Sequence, residues 1–84
     1  MTIDNKHAID LYESMANVAA VQARGYTDDT YFAWVDCSRA YYAAAVCVRM
    51  AEEVPAVAAT ARRHELLYIE KAAKLRRELL GESV

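Results

Sequence analysis

The sequence predicts an all-α fold, a three-helix bundle with a long central helix, and three observations predict it. Apolar residues recur at spacings of three and four, with no run of strict alternation that would mark a strand. Only two glycines and one proline punctuate the 84 residues, and they divide the chain into three segments. Residues that cap or open helices stand at the segment starts. At this length the chain is one domain, residues 1–84.

The first helix is expected from about Asp4 to Arg24. Thr2, Asp4 or Asn5 can cap it, and Gly25 can close it in a left-handed conformation. Its apolar positions are Ala8, Leu11, Tyr12, Met15, Val18 and Ala19, followed by Val21 and Ala23. The second helix is expected to begin at Thr27, whose hydroxyl can cap. Asp28 and Asp29 then fall in the first turn, where the helix dipole favours anions. It can run to Glu53, because only Val54-Pro55 interrupts it: the residue before proline avoids helical geometry.

Pro55 suits the first turn of the third helix, which is expected to reach Leu80 and stop at Gly81, leaving Glu82-Ser83-Val84 to fray. The stripe Val57, Ala61, His64, Tyr68, Ala72, Leu75 and Leu79 reads as its core side. Arg63, Glu70, Lys74, Arg77 and Glu78 form its solvated side, where Glu70–Lys74 and Lys74–Glu78 are favourable four-residue pairs. On that core stripe His64 reads as a buried histidine rather than a ligand.

The second helix carries three stripes. Ala33, Cys37, Ala40, Ala44, Cys47 and Ala51 make a seam of small residues that lets a neighbouring helix approach closely. Ala16, Ala19, Ala20 and Ala23 of the first helix offer a matching small surface. A second stripe holds Phe32, Val35, Tyr42, Val46 and Met50, mixed with Arg39 and Glu53. A third edge holds Trp34, Tyr41 and Val48. A helix apolar on several sides is either central to the bundle or meets a partner on one of them.

Composition narrows the function classes. An apolar content of 56% is too high for a disordered chain. Much of it is alanine, which favours helix but buries little area, so the core is marginal for this size. The net charge of −2 argues against direct nucleic-acid binding, which needs a basic face. Residues 1–58 carry eight acids against four bases, whereas residues 59–84 carry six bases against four acids. The acidic portion suits a basic surface on a partner.

The start of the chain lacks a basic stretch followed by an apolar run, so no signal peptide is expected. The longest apolar run, Ala40 to Val48, is far short of the ~20 residues a membrane span requires. A cytoplasmic protein that does not engage the membrane is expected. Cys37 and Cys47 lie on one helix about 15 Å apart. A disulfide needs Cα atoms within about 7 Å, so both are expected to be reduced, buried and apolar in character.

No catalytic constellation can be assembled, and the chain is expected not to be an enzyme. His7, His64, Cys37 and Cys47 have no ligand spacing on a helix or turn, so no metal site is expected. His64-Glu65 opens like a zinc-protease motif, but Tyr68 stands where the second histidine must be. No glycine loop for a phosphate is present, and no cofactor is expected. The strongest functional feature is a cluster of rings and acids on the second helix. Asp28, Asp29, Tyr31, Trp34, Asp36, Tyr41 and Tyr42 are the candidate partner-binding residues, with aromatic anchors set among charges as protein interfaces use them. The same rings equally suit filling a core otherwise made of alanine. Leu66, Ile69, Ala73 and Leu80, flanked by Arg62 and Arg76, form a reserve surface on the third helix.

Two resemblances extend this reading. Ser38-Arg39-Ala40-Tyr41-Tyr42-Ala43-Ala44, preceded by Arg24-Gly25-Tyr26, resembles the Arg-Ala-Tyr-Tyr-Ala helix of HEPN domains, helical bundles of toxins, antitoxins and RNases. The match covers about a quarter of the chain. In that family a catalytic Arg is followed four to six residues later by His. Here Arg62 and Arg63 directly precede His64, so the resemblance implies a catalytically silent bundle acting as a dimer or antitoxin component.

In character rather than motif, the chain resembles the small phage-encoded inhibitors of bacterial defence, including anti-CRISPR proteins. That resemblance implies stoichiometric blocking of a CRISPR-Cas complex in the cytoplasm of a bacterial host cell, through an acidic or steric surface. The expectation is therefore a non-enzymatic protein-binding protein of the phage-inhibitor type, with the HEPN-like bundle as alternative and a homodimer left open.

The cysteine reading has a direct check. Native mass spectrometry should return the unmodified mass of the chain. A mass lower by two hydrogen atoms, or an added zinc ion, would overturn it.

Overall fold

The computed structural model describes residues 4–81. Three helices account for nearly all of them: α1 (Asn5–Ala23), α2 (Asp29–Glu53) and α3 (Ala58–Leu79). No strand is present among the described residues. The all-α three-helix bundle with a long central helix is the architecture the sequence predicts.

The helix ends follow local chemistry. Asp4 caps α1, its carboxylate accepting the His7 N–H at 2.7 Å. Thr2 and the fraying expected of Glu82-Ser83-Val84 lie outside the described residues. The cap of α2 is Asp28 rather than Thr27: Asp28 Oδ1 accepts the Thr30 N–H at 3.0 Å, and a charged oxygen caps better than a hydroxyl.

Gly25 does not close α1 in a left-handed conformation. Among the described residues the only positive φ is that of Gly81, at +70°. Instead α1 tightens into a succession of short turns, with the N–H groups of Arg24, Gly25 and Tyr26 each bonding a carbonyl three residues back. Val54-Pro55 ends α2 as expected. Pro55 then opens a separate 3₁₀ turn, Pro55–Val57, before α3 begins.

The core is built around α2. Cys37, Ala40, Ala44, Cys47 and the third edge of Trp34, Tyr41 and Val48 are all buried. The seam and this edge together form one continuous side, roughly 140° wide at 100° per residue. Both flanking helices pack on it. Ala16, Ala19 and Ala23 of α1 are buried against one margin, Ala61 and Ala72 of α3 against the other.

How near the backbones come is visible in two consecutive residues. The Cys37 thiol donates to the Ala72 carbonyl of α3 at 3.4 Å, and the Ser38 hydroxyl donates to the Ala16 carbonyl of α1 at 2.8 Å. Only small side chains permit such approach. No Cα of α1 comes within 8 Å of a Cα of α3. The outer helices therefore diverge across α2, and the radius of gyration is 13.5 Å, against about 12 Å for a compact chain of this length.

Some stripes are rotated from the sequence reading. On α3, His64 is exposed and is not a core histidine; Tyr68 is also exposed, as is Val57 in the 3₁₀ turn before it, and Glu65 is buried at 8% exposure. On α1, Leu11, Val18 and Val21 face outward, and Ile9 is buried in their place. In both cases alanines set the contact line, and the larger residues beside them fall to the margins.

Glu65 is tolerated because it is fully engaged. It accepts the Tyr12 hydroxyl at 2.8 Å and pairs with Arg62 at 3.0 Å. Arg62 in turn bonds Asn5 Oδ1. This clasp ties the diverging α1 and α3 together through side chains alone. Burial of Tyr12, reinforced by its hydrogen bond to Glu65 and the carboxylate charge, pushes its phenol up to about 12 from the ordinary 10.0.

Two predictions follow from this packing. Replacing fully buried Ala44 with leucine overpacks the seam and should cost about 1–3 kcal/mol. A chemical denaturation midpoint equal to the parent's would show that the seam is not a tight contact. The clasp makes an alkaline prediction. Between pH 10 and 12 the folded chain keeps a Tyr12 proton that the unfolded chain releases, so this contribution to stability is complete below pH 10 and is lost as pH rises toward 12. Tyr12→Phe should melt with a shallower decline across that window than the parent.

Candidate functional site

The amino-terminal turns of α2 carry the densest cluster of predicted site residues. Asp28 holds the cap, Asp29 occupies the first turn, and both carboxylates are exposed where the helix dipole favours them. Asp36 is exposed two turns on. Tyr31 is exposed beside Phe32, the two rings meeting edge to face at 5.2 Å and 80°. Phe32 is 65% exposed, the most accessible aromatic among the described residues.

The seven predicted partner-binding residues separate into two groups. Asp28, Asp29, Tyr31, Asp36 and Tyr42 reach solvent. Trp34 and Tyr41 do not: they are 3% and 5% exposed and belong to the core. The physical reason is volume. The inner surfaces of α1 and α3 are largely alanine, and these two rings fill the space left where the outer helices diverge. They floor a cavity of about 220 Å³ between α1 and α3, walled by Met15, Val18, Arg76 and Leu80. Trp34 Nε1 is buried without a hydrogen-bond partner. Burial raises the Tyr41 phenol and the Cys37 thiol above their ordinary values, opposed in both by Arg76.

The opposite side of α2 is the part the sequence left undecided. Phe32, Tyr42, Val46 and Met50, the larger members of the second stripe, are all exposed, and Val35 is half-buried. Their spacing of three and four places them on one face, turned from the buried seam. Along the carboxyl-terminal half of α2 this face floors an open groove of about 600 Å³. Asn17 lies at its α1 edge, and His64 and Tyr68 at its α3 edge.

His64 and Tyr68 are site residues that the sequence reading missed. Their spacing matched the core stripe, and nothing in one helix's periodicity tells which of two adjacent faces a neighbour will cover. Arg39 is exposed on the groove floor, and Tyr42 beside it is 52% exposed.

Cys37 and Cys47 are free thiols, both buried. Burial pushes the Cys47 thiol upward, with the Glu65 charge adding to the effect, and both keep it in the unreactive protonated form. Among the described residues no three His, Cys, Asp or Glu side chains converge as metal ligands. None of the described helices is long and apolar enough to cross a membrane. No protein-family model, curated protein or solved structure matches the chain.

Proposed function

We propose that this protein acts by occupying a surface of another protein, with the first two turns of α2 as its binding site. The observation that carries the reading is the exposed Tyr31–Phe32 pair set among three exposed carboxylates, Asp28, Asp29 and Asp36. A chain with a marginal core usually withdraws its large rings from water. Here two rings lie outside it at the acidic end of the central helix. Rings of this kind supply most of the energy of an interface when a partner covers them, and acids around them speed encounter with a basic surface.

The partner this chemistry fits is a protein with a basic groove, such as one built to hold nucleic acid. The specific form we propose is stoichiometric inhibition of a bacterial CRISPR-Cas defence complex by a small phage-type protein. In this form the acidic end of α2 covers a cationic nucleic-acid path in the host cytoplasm. The charge distribution supports it: the acids outnumber the bases two to one over residues 1–58.

Affinity capture from bacterial lysate, followed by binding kinetics on the recovered complex, tests the proposal. Joint reversal of Asp28, Asp29 and Asp36 to lysine should slow association by about tenfold or more, an effect that added salt mimics in the parent. Phe32→Ala should speed dissociation and cost about 2 kcal/mol. A captured partner whose kinetics neither change affects would place the interface elsewhere. Turnover of RNA by the purified chain, with no partner recovered, would defeat the binding reading itself.

A further inference from the structure

We propose that the cavity between α1 and α3 is a binding site for a small aromatic carboxylate, which gives the buried Trp34 Nε1–H an acceptor and pairs with Arg76. The site is separate from the proposed partner surface: Asp28, Asp29, Tyr31, Phe32 and Asp36 do not line it. Its first support is the indole. Trp34 lines the cavity at 3% exposure, and its Nε1 meets neither solvent nor a protein acceptor. Among the described residues it is the one buried side-chain nitrogen or oxygen in that position. Buried polar groups are nearly always paired, and an indole nitrogen can only donate. What satisfies it must therefore bring an acceptor.

The rest of the lining has the same polarity. It includes no carboxylate, and its arginine, Arg76, makes no ion pair among the described residues. Tyr41 lines the cavity too. Burial raises its phenol and the Arg76 charge opposes the rise, so the hydroxyl is a donor within electrostatic reach of the guanidinium. A cation and two neutral donors with no anion among them select an anionic acceptor. The remaining walls are apolar, chiefly Met15, Val18 and Leu80. The volume is about 220 Å³. A water occupies about 30 Å³, and an apolar cavity of about 150 Å³ holds benzene. One water would pair Nε1 but leave the apolar walls uncovered, whereas a single ring with a short carboxylate arm matches both volume and lining. The two rings and the Met15 thioether favour an aromatic body. Trp34 and Tyr41 are buried, but Val18, Arg76 and Leu80 are exposed, so the cavity runs from the core to solvent and has an entrance. The guanidinium offsets the cost of burying the ligand's charge.

The chain has one tryptophan, so its indole N–H gives a single resonance in a proton–nitrogen correlation spectrum of the whole chain. Titration with phenylacetate should shift that resonance saturably, with a Kd of about 1 mM or tighter. Acetate, which has the charge without the ring, and phenylacetamide, which has the ring without the charge, should each bind about tenfold more weakly or worse. Arg76→Gln should weaken phenylacetate binding about tenfold. Arg63→Gln, at an exposed position outside the cavity, should leave it at the parent's value. An indole resonance that stays in place up to about 10 mM phenylacetate would overturn the proposal and leave the cavity to water only. Equal affinity for acetate would also overturn it, reducing the site to an anion contact at Arg76. So would undiminished phenylacetate binding by a folded Arg76→Gln chain.

Discussion

The structure depends on one constraint: α2 must take two helices on a single side. Its small-residue seam makes this feasible. With alanine and cysteine at 37, 40, 44 and 47, both neighbours come near enough for consecutive residues Cys37 and Ser38 to hydrogen-bond a backbone carbonyl on α3 and on α1. Close packing of small residues gains dispersion contacts but buries little area per residue. Trp34 and Tyr41 supply the missing bulk between the diverging outer helices. The Tyr12–Glu65–Arg62 clasp joins those helices where their backbones do not meet. A buried carboxylate is costly unless its hydrogen bonds are made, so the clasp fixes the relative rotation of α1 and α3 as well as their separation.

The same constraint explains the open face. Having crowded both neighbours onto one side, α2 turns its other side to solvent, and that side carries large apolar residues among charges. In a typical three-helix bundle the largest apolar residues of the central helix are its core. In this chain Phe32, Tyr42 and Met50 lie outside it, and only Trp34 and Tyr41 join the small residues within. Large exposed apolar surface rimmed by charge marks interaction sites. The charges divide the face by chemistry. The amino-terminal end is acidic around Tyr31 and Phe32, suited to a basic partner. The carboxyl-terminal half is groove-shaped, with Arg39 on the groove floor and Glu53 on the same stripe.

Much of the fold was legible in the sequence. Punctuation by Gly25, Pro55 and Gly81 located three helices, and the four-and-three repeat from Cys37 to Cys47 identified the seam. The rotation of α3 was not legible. Ala61, Ala72, Leu75 and Leu79 of the predicted stripe do face the core, but His64 and Tyr68 fit the same spacing as well as Glu65 does, and hydrophobicity disfavours Glu65. What decides is Tyr12, a partner more than fifty residues away that makes a buried Glu65 acceptable. The candidate site was half legible. The acids of α2 followed from the pattern, but which rings fill the core and which, like Tyr31 and Tyr42, face solvent depends on how little volume the alanines of α1 and α3 provide. Single-helix periodicity carries no record of that. Likewise, the carboxylate of Asp28 outcompetes the Thr27 hydroxyl for the cap only once the loop geometry is known.

The central claim is that α2 is two-sided, with its small residues and two rings inward and its other large residues outward. Hydroxyl-radical footprinting of the dilute chain measures this residue by residue. The account predicts fast modification of Phe32, Tyr42 and Met50 together with strong protection of Trp34 and Tyr41. The reverse order, with Trp34 and Tyr41 reactive and Phe32, Tyr42 and Met50 protected, would contradict it.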